Sequence, residues 1–286
     1  MSLPFLDQLA AAERGNDSLL CVGLDPDPAR FPGAMQGDAS RIFDFCAAIV
    51  DATRDLVIAY KPQIAYFAAH RAESQLERLI AHIHETAPGV PVILDAKRGD
   101  MGSTAEQYAK EVFDRYRADA VTLSPFLGWD SVEPYLRHEG KGVILLCRTS
   151  NPGGADLQEQ RLESGEKLYE RIARLASGTW NTTGQVGLVV GATFPAEIAR
   201  VRELAPTLPL LIPGIGAQGG DAAATVRAGW RRGAANGPSA GPIIVSSSRA
   251  VLYPADGRGA DFAAASRRAA DAARRELAAA RAAIPG

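Results

Sequence analysis

Cysteine is scarce in this chain: Cys21, Cys46 and Cys147 are the three found in 286 residues. They are odd in number, widely separated and without CxxC or Cys/His spacing, which argues against a zinc site or a disulfide framework. Reduced, partly buried thiols in a cytoplasmic protein are the expectation. Charge bias is lacking as well. Lys and Arg total 31 against 33 Asp and Glu, for a net charge of −2, so no bulk basic signal points to nucleic acid or anionic lipid. No apolar run reaches the length of a membrane span. The N-terminal "MSLPFLDQLAAAERGND" carries acids where a signal peptide would need an apolar stretch, so none is expected. What remains is an ordinary globular composition, 47% hydrophobic and 22% charged, with length enough for a sizeable core. A small ligand held by a few local charges is fully allowed.

Short runs rich in Val, Ile and Leu recur along the chain at 19–24, 56–61, 90–95, 118–124, 142–147, 186–192, 208–214 and 242–248. Such runs suit strands buried on both faces of a parallel sheet. Between them lie stretches of helical spacing, clearest in "RIFDFCAAIVDATRD", "AESQLERLIAHIHETA", "STAEQYAKEVFDRYRA" and "FPAEIARVRELA". Eight strands alternating with helices predict an α/β fold, a (β/α)8 TIM barrel formed as a single domain over 1–286. A doubly wound open sheet is the alternative, because alternation does not by itself establish closure. The longest connection, 151–185, contains the helical "GEKLYERIARLA", and 231–241 reads as a Gly-rich surface loop. The Ala/Arg-rich C-terminal segment reads as the last outer helix.

The stretch "VILDAKRGDMGST" (92–104) drives an apolar strand straight into charge. Alternation along a strand points Asp95 and Lys97 the same way and turns Arg98 aside. In a barrel, strand C-terminal ends line the site face. Lys61, ending the second strand, and Asp25, just after the first, then reach the same rim. Asp100 follows in the loop, and Ser103 with Glu106 has the spacing of a capping box for the next helix. Charges are costly to bury unless paired, so their convergence from different strands favours catalysis over chance loop pairing. Carboxylates keep a nearby lysine protonated. Such a lysine can stabilise a developing carbanion and then protonate it, while a fixed Asp beside a substrate carboxylate favours loss of that carboxylate. No side chain here demands a metal or an organic cofactor.

"IPGIGAQGGD" (212–221) satisfies G-x-G-x-x-G with Gly214, Gly216 and Gly219. A dinucleotide site would sit in the first βαβ unit with an acid about twenty residues on, and neither condition holds. The loop suits phosphate better, since barrels commonly bind phosphate after strands seven and eight. Arg249, ending the eighth strand, reaches the same corner and can grip phosphate in a bidentate way. In "CRTSNPGG" (147–154), Thr149 and Ser150 can hydrogen-bond a polar ring, though the segment is also simply a turn.

Together, "LDAKRGDMGST", "YKPQIAYF", "RTSNPG" and "PGIGAQGGD" resemble the orotidine 5′-phosphate decarboxylase family in its longer-chain bacterial form, with the likeness spanning all eight strand regions. The resemblance implies a cytoplasmic carboxy-lyase converting orotidine 5′-phosphate to UMP and CO2 in the last step of pyrimidine nucleotide synthesis, without metal or cofactor. It implies that Lys97 donates the proton to C6 and that Asp95 sits beside the departing carboxylate. Lys61 and Asp100 complete the charge array, with Lys61 also touching the ribose. Asp25 binds a ribose hydroxyl, Ser150 the pyrimidine, and Gln218, Gly219 and Arg249 the phosphate. Asp100 and Thr104 reach the neighbouring subunit's site, which implies a homodimer. The added residues in 151–185 and 231–241 set this chain apart from shorter members.

Three other readings compete. A magnesium-dependent sugar-phosphate decarboxylase on the same scaffold would need an acid where Lys61 stands. A lysine Schiff-base aldolase could use Lys97. A non-catalytic phosphate-ligand sensor could keep the glycine loop and Arg249 but has no use for the Asp/Lys array.

Overall fold

The computed structural model describes residues 3–215, 220–234, 239–259 and 261–284. Among them eight strands form one parallel sheet: β1 (Leu20–Leu24), β2 (Ala59–Pro62), β3 (Ile93–Arg98), β4 (Ala120–Leu123), β5 (Gly142–Arg148), β6 (Val186–Val190), β7 (Leu210–Pro213) and β8 (Ile243–Ser247). β1 pairs with both β2 and β8, and from β3 onward each strand pairs with the next as far as β7–β8. The remaining edges, β2 and β3, are joined by the bridges Tyr60–Val92 and Gln63–Asp95. The sheet therefore closes into the expected (β/α)8 barrel, not the open alternative. The short apolar runs form strands because every one of them is covered on both sides, so each residue of β1, β2, β4, β6 and β8 is buried.

Two apolar cores follow from this layering. The barrel interior holds Cys21, Ile58, Ile93, Ala120, Ile144, Val189, Leu211 and Ile244. Its N-terminal end is plugged by the helix α1 (Phe5–Gly15), whose Phe5, Leu9 and Ala12 enter the same cluster. A Cβ on Gly142 would collide with the Phe5 ring, so glycine at the start of β5 makes room for the plug. The larger core lies between the strands and the outer helices α2 (Ile42–Thr53), α3 (Glu73–Thr86), α4 (Gly102–Lys110), α5 (Leu168–Ser177), α6 (Pro195–Leu204), α7 (Ala222–Gly229) and α8 (Phe262–Ala282). The Ala/Arg-rich C-terminal segment is α8, packed between α2 and α7 as the last outer helix.

One local expectation fails. Helix α4 starts at Gly102, with Met101 as its N-cap, so Ser103 already has helical geometry and cannot cap. Glu106 pairs instead with Arg137 at 2.8 Å. Starting the helix two residues early shortens the connection from β3 to three residues, Gly99 to Met101.

Candidate active site

Four of the strand-end charges predicted from sequence line one cavity of about 550 Å³ at the C-terminal mouth of the barrel: Asp25, Lys61, Asp95 and Lys97. Lys61, only 5% exposed at the end of β2, donates Nζ to Asp95 Oδ2 at 2.9 Å. Lys97 donates its Nζ to the other oxygen, Oδ1, at 2.6 Å. Asp95, 8% exposed, is thus clamped between two ammonium groups.

Burial works against charge on both members of the inner pair, and pairing prevails. Desolvation alone would lower the Lys61 pKa, but Asp95 and Asp25 together lift it well above the usual lysine range. Desolvation would raise the Asp95 pKa, but Lys61 and Lys97 hold it far below the usual carboxylate range. Both groups are therefore charged at neutral pH. Cys21, also near Lys61, goes the other way: burial pushes its thiol up to about 12, leaving it protonated.

The meeting of Asp95 and Lys97 does not come from simple alternation. Pairing between β3 and β4 shifts register between Leu94 and Arg98, and Lys97 has φ +46°. A β-bulge at the strand tip sets the lysine's direction. Arg98 turns outward, as alternation predicts. It forks onto Glu111, with contacts of 2.8 to 3.1 Å, and lies over the Tyr108 ring.

The opposite wall carries other predicted residues. Ser150 and Thr149 line the cavity together with Asn151, Gly153, Gly154, Leu157 and Gln158 of the segment after β5. Gln158 Oε1 accepts from the Thr149 backbone N–H at 2.8 Å, tying that segment back on itself. Gly214 and Ile215 after β7, and Arg249 at the start of the turn after β8, complete the lining. Leu146, Val189, Leu211 and Pro213 give the mouth an apolar side. Gln218 and Gly219 lie outside the described residues.

Asp100 and Thr104 do not line this cavity. Asp100 stays in the loop, where its Oδ1 accepts from the Met101 N–H at 2.9 Å, and Thr104 is exposed on α4. The loops after β3 and β4 lie side by side, with Gly99 against Ser124. They expose Met101, Leu127 and Phe126, the last 77% accessible. Among the described residues no three His, Cys, Asp or Glu side chains gather as a metal site would require.

Two site residues were missed from sequence. Thr122, in the middle of β4, bonds Asp95 and the β3 backbone. A polar residue inside the otherwise apolar strand "AVTL" was the available signal. Arg148, ending β5, is 2% exposed, pairs with Glu159 at 2.6 Å and stacks on Phe194 at 3.9 Å, which braces the segment over the cavity. Its partners are set by tertiary folding, so no local pattern announced it.

A family model described as orotidine 5′-phosphate decarboxylase / HUMPS family matches residues 18–279. An orotidine 5′-phosphate decarboxylase of Methylibium petroleiphilum is 71% identical over 282 residues, 98% of this chain and 100% of the relative. That of Polaromonas naphthalenivorans is 71% identical over 98% of this chain and 97% of its own length. Among solved structures, the OMP decarboxylase of Leishmania donovani superposes with a TM-score of 0.82 at 38% identity, covering 99% of this chain and 100% of that one.

Proposed function

The chain belongs to the orotidine 5′-phosphate decarboxylase / HUMPS family and is a carboxy-lyase, and we propose that its Lys61–Asp95–Lys97 array carries out the loss of CO2 from orotidine 5′-phosphate to leave UMP. The single observation that carries this assignment is one carboxylate held charged between two ammonium groups on the floor of the strand-end cavity.

The chemistry follows from the charges. With the substrate's C6 carboxylate lodged beside Asp95, two anions face each other, and that repulsion is relieved as the C6–carboxylate bond breaks. The bonding electron pair stays on C6 while CO2 leaves. The Lys97 ammonium, already aimed into the cavity, stabilises that carbanion and gives it a proton, forming the C6–H of UMP. Lys97 then regains a proton from water. Stabilisation by charges set in place beforehand needs little reorganisation during reaction.

Binding is proposed to come from more distant groups. Arg249 and the loop after β7, with Gln218 and Gly219, hold the phosphate. Ser150 bonds the pyrimidine, and Asp25 and Lys61 the ribose. Energy gained at the phosphate can then drive closure of the 149–158 segment over the reacting ring. The exposed Met101, Phe126 and Leu127 support burial of this rim against a second copy. In such a homodimer Asp100 and Thr104 serve the neighbouring site. A cytoplasmic setting agrees with three free, buried cysteines. Among the described residues no helix is long and apolar enough to cross a membrane.

The test is ultraviolet-monitored turnover of orotidine 5′-phosphate, with and without EDTA. Turnover unaffected by EDTA is expected. Loss of activity to EDTA points to the magnesium-dependent alternative, and tight UMP binding without turnover points to a sensor.

A further inference from the structure

The bulge that aims Lys97 leaves a hydrogen-bonding problem that one side chain solves. β3 takes four steps from Leu94 to Arg98 where β4 takes two from Val121 to Leu123, so β3 carries two extra residues opposite Thr122. Bulged residues lose their ladder partners, and buried backbone N–H groups left without partners are destabilising. Here the N–H groups of Ala96 and Lys97 both donate to Thr122 Oγ1, at 3.1 and 3.0 Å. The hydroxyl's acceptor capacity is then full, so its one proton has a single direction left. It goes to Asp95 Oδ1, at 2.8 Å. Thr122 is 1% exposed, so water cannot replace it.

We propose that Thr122 is the positioning residue of the charge array: its hydroxyl sets both the rotation of the Asp95 carboxylate and the backbone turn from which Lys97 projects. The proposal rests on the catalytic reading of Asp95 and Lys97. Lys97 holds a left-handed backbone conformation, which is unfavourable for a non-glycine residue. Two N–H bonds to a single buried oxygen offset that cost. The same oxygen fixes Asp95 so that Oδ1 meets Lys97 while Oδ2 meets Lys61. Valine matches threonine in shape but removes all three bonds at once, whereas serine keeps them.

The experiment compares Thr122→Val and Thr122→Ser with wild type in steady-state turnover of orotidine 5′-phosphate, UMP affinity and thermal melting. Misplacing a catalytic group by an ångström costs on the order of 100-fold in rate, so Thr122→Val should lose about that much kcat while UMP affinity changes less than about threefold. Thr122→Ser should stay within about threefold of wild-type kcat. If Thr122→Val does not fold, Thr122→Cys replaces it, since a thiol is a weak donor and acceptor; at least a tenfold loss of kcat, about 1.4 kcal/mol, is then expected. Three results overturn the proposal: the hydroxyl-free or thiol variant turning over like wild type, serine losing as much as that variant, or a loss confined to KM. A wild type that does not turn over orotidine 5′-phosphate defeats the catalytic reading itself, and the Thr122 proposal with it. A competent wild type beside an indifferent Thr122→Val defeats the Thr122 proposal alone.

Discussion

Lys61 and Asp95 meet at 2.9 Å across the seam where the barrel closes, between two strands joined by isolated bridges. The ion pair ties β2 to β3 at the barrel mouth and is also the inner half of the proposed catalytic array. Any variant of either residue therefore changes both activity and the local join. Lys97, on the solvent side of Asp95 and 48% exposed along its side chain, separates the two roles better.

Lys97→Ala should abolish decarboxylation and spare binding. The proposed proton donor disappears, but Asp95 keeps Lys61 and Thr122 as partners, so the site retains its shape. Positioned proton donors contribute about 10²–10⁴-fold, and loss of carbanion stabilisation adds to that. The expected result is a kcat reduced by at least about 1,000-fold, with UMP affinity by calorimetry within about tenfold of wild type. A kcat within about tenfold of wild type, on the order of 1.4 kcal/mol in barrier, would remove Lys97 from that role.

Mixing two inactive variants tests the shared site. In a homodimer whose Asp100 crosses the interface, a Lys97→Ala chain and an Asp100→Ala chain form one intact site per heterodimer. Random exchange of equal amounts should restore about a quarter of wild-type activity, as two-fold symmetry dictates. Each variant alone remains inactive. No recovery after verified subunit exchange, by native mass spectrometry, would put Asp100 back in its own subunit's site or outside catalysis.

Arg249→Ala should weaken capture of the phosphorylated substrate. Hydrogen bonds between charged groups are worth about 1.5–3 kcal/mol each, so kcat/KM for orotidine 5′-phosphate should fall roughly 10- to 1,000-fold. Orotidine without its phosphate is the control, and its slow turnover should be indifferent to the substitution. Equal losses on both substrates would show that Arg249 supports the fold or the ring, not the phosphate.

The strands were legible because each is a short apolar run bounded by breakers and buried on both faces. The charge cluster was legible because Asp25, Lys61, Asp95 and Lys97 each stand at the end of such a run. What could not be read was anything set by strand register. The β3 bulge depends on how β3 and β4 align, so alternation gave the right facing for Asp95 and Lys97 without its cause. The Ser103–Glu106 spacing misled because Gly102, with φ +58°, starts the helix two residues early. Arg202 was equally hidden. It is buried, has no acidic partner among the described residues, and donates to the carbonyls of Ala205, Pro206, Leu208, Gly229 and Pro242, which meet only in the folded chain.

Acid stability offers a test remote from the chemistry. Asp119, just before β4, accepts from the Val92 N–H and from His84, each at 2.9 Å, with Lys141 nearby at 3.7 Å. Burial would raise its pKa, but the bonds from His84 and Val92, aided by the charges of His84 and Lys141, bring it below the usual carboxylate value. The folded state thus binds this proton less readily than the unfolded chain does. The resulting stabilisation is complete above the unfolded value of about 3.9 and is lost as pH falls through the lower folded value. Asp119→Asn should therefore be less stable than wild type at pH 7, and the gap should narrow steadily below about pH 4. Urea midpoints of both proteins across that range measure it. A gap independent of pH would mean that shape and hydrogen bonding, not the ionised carboxylate, account for what Asp119 contributes.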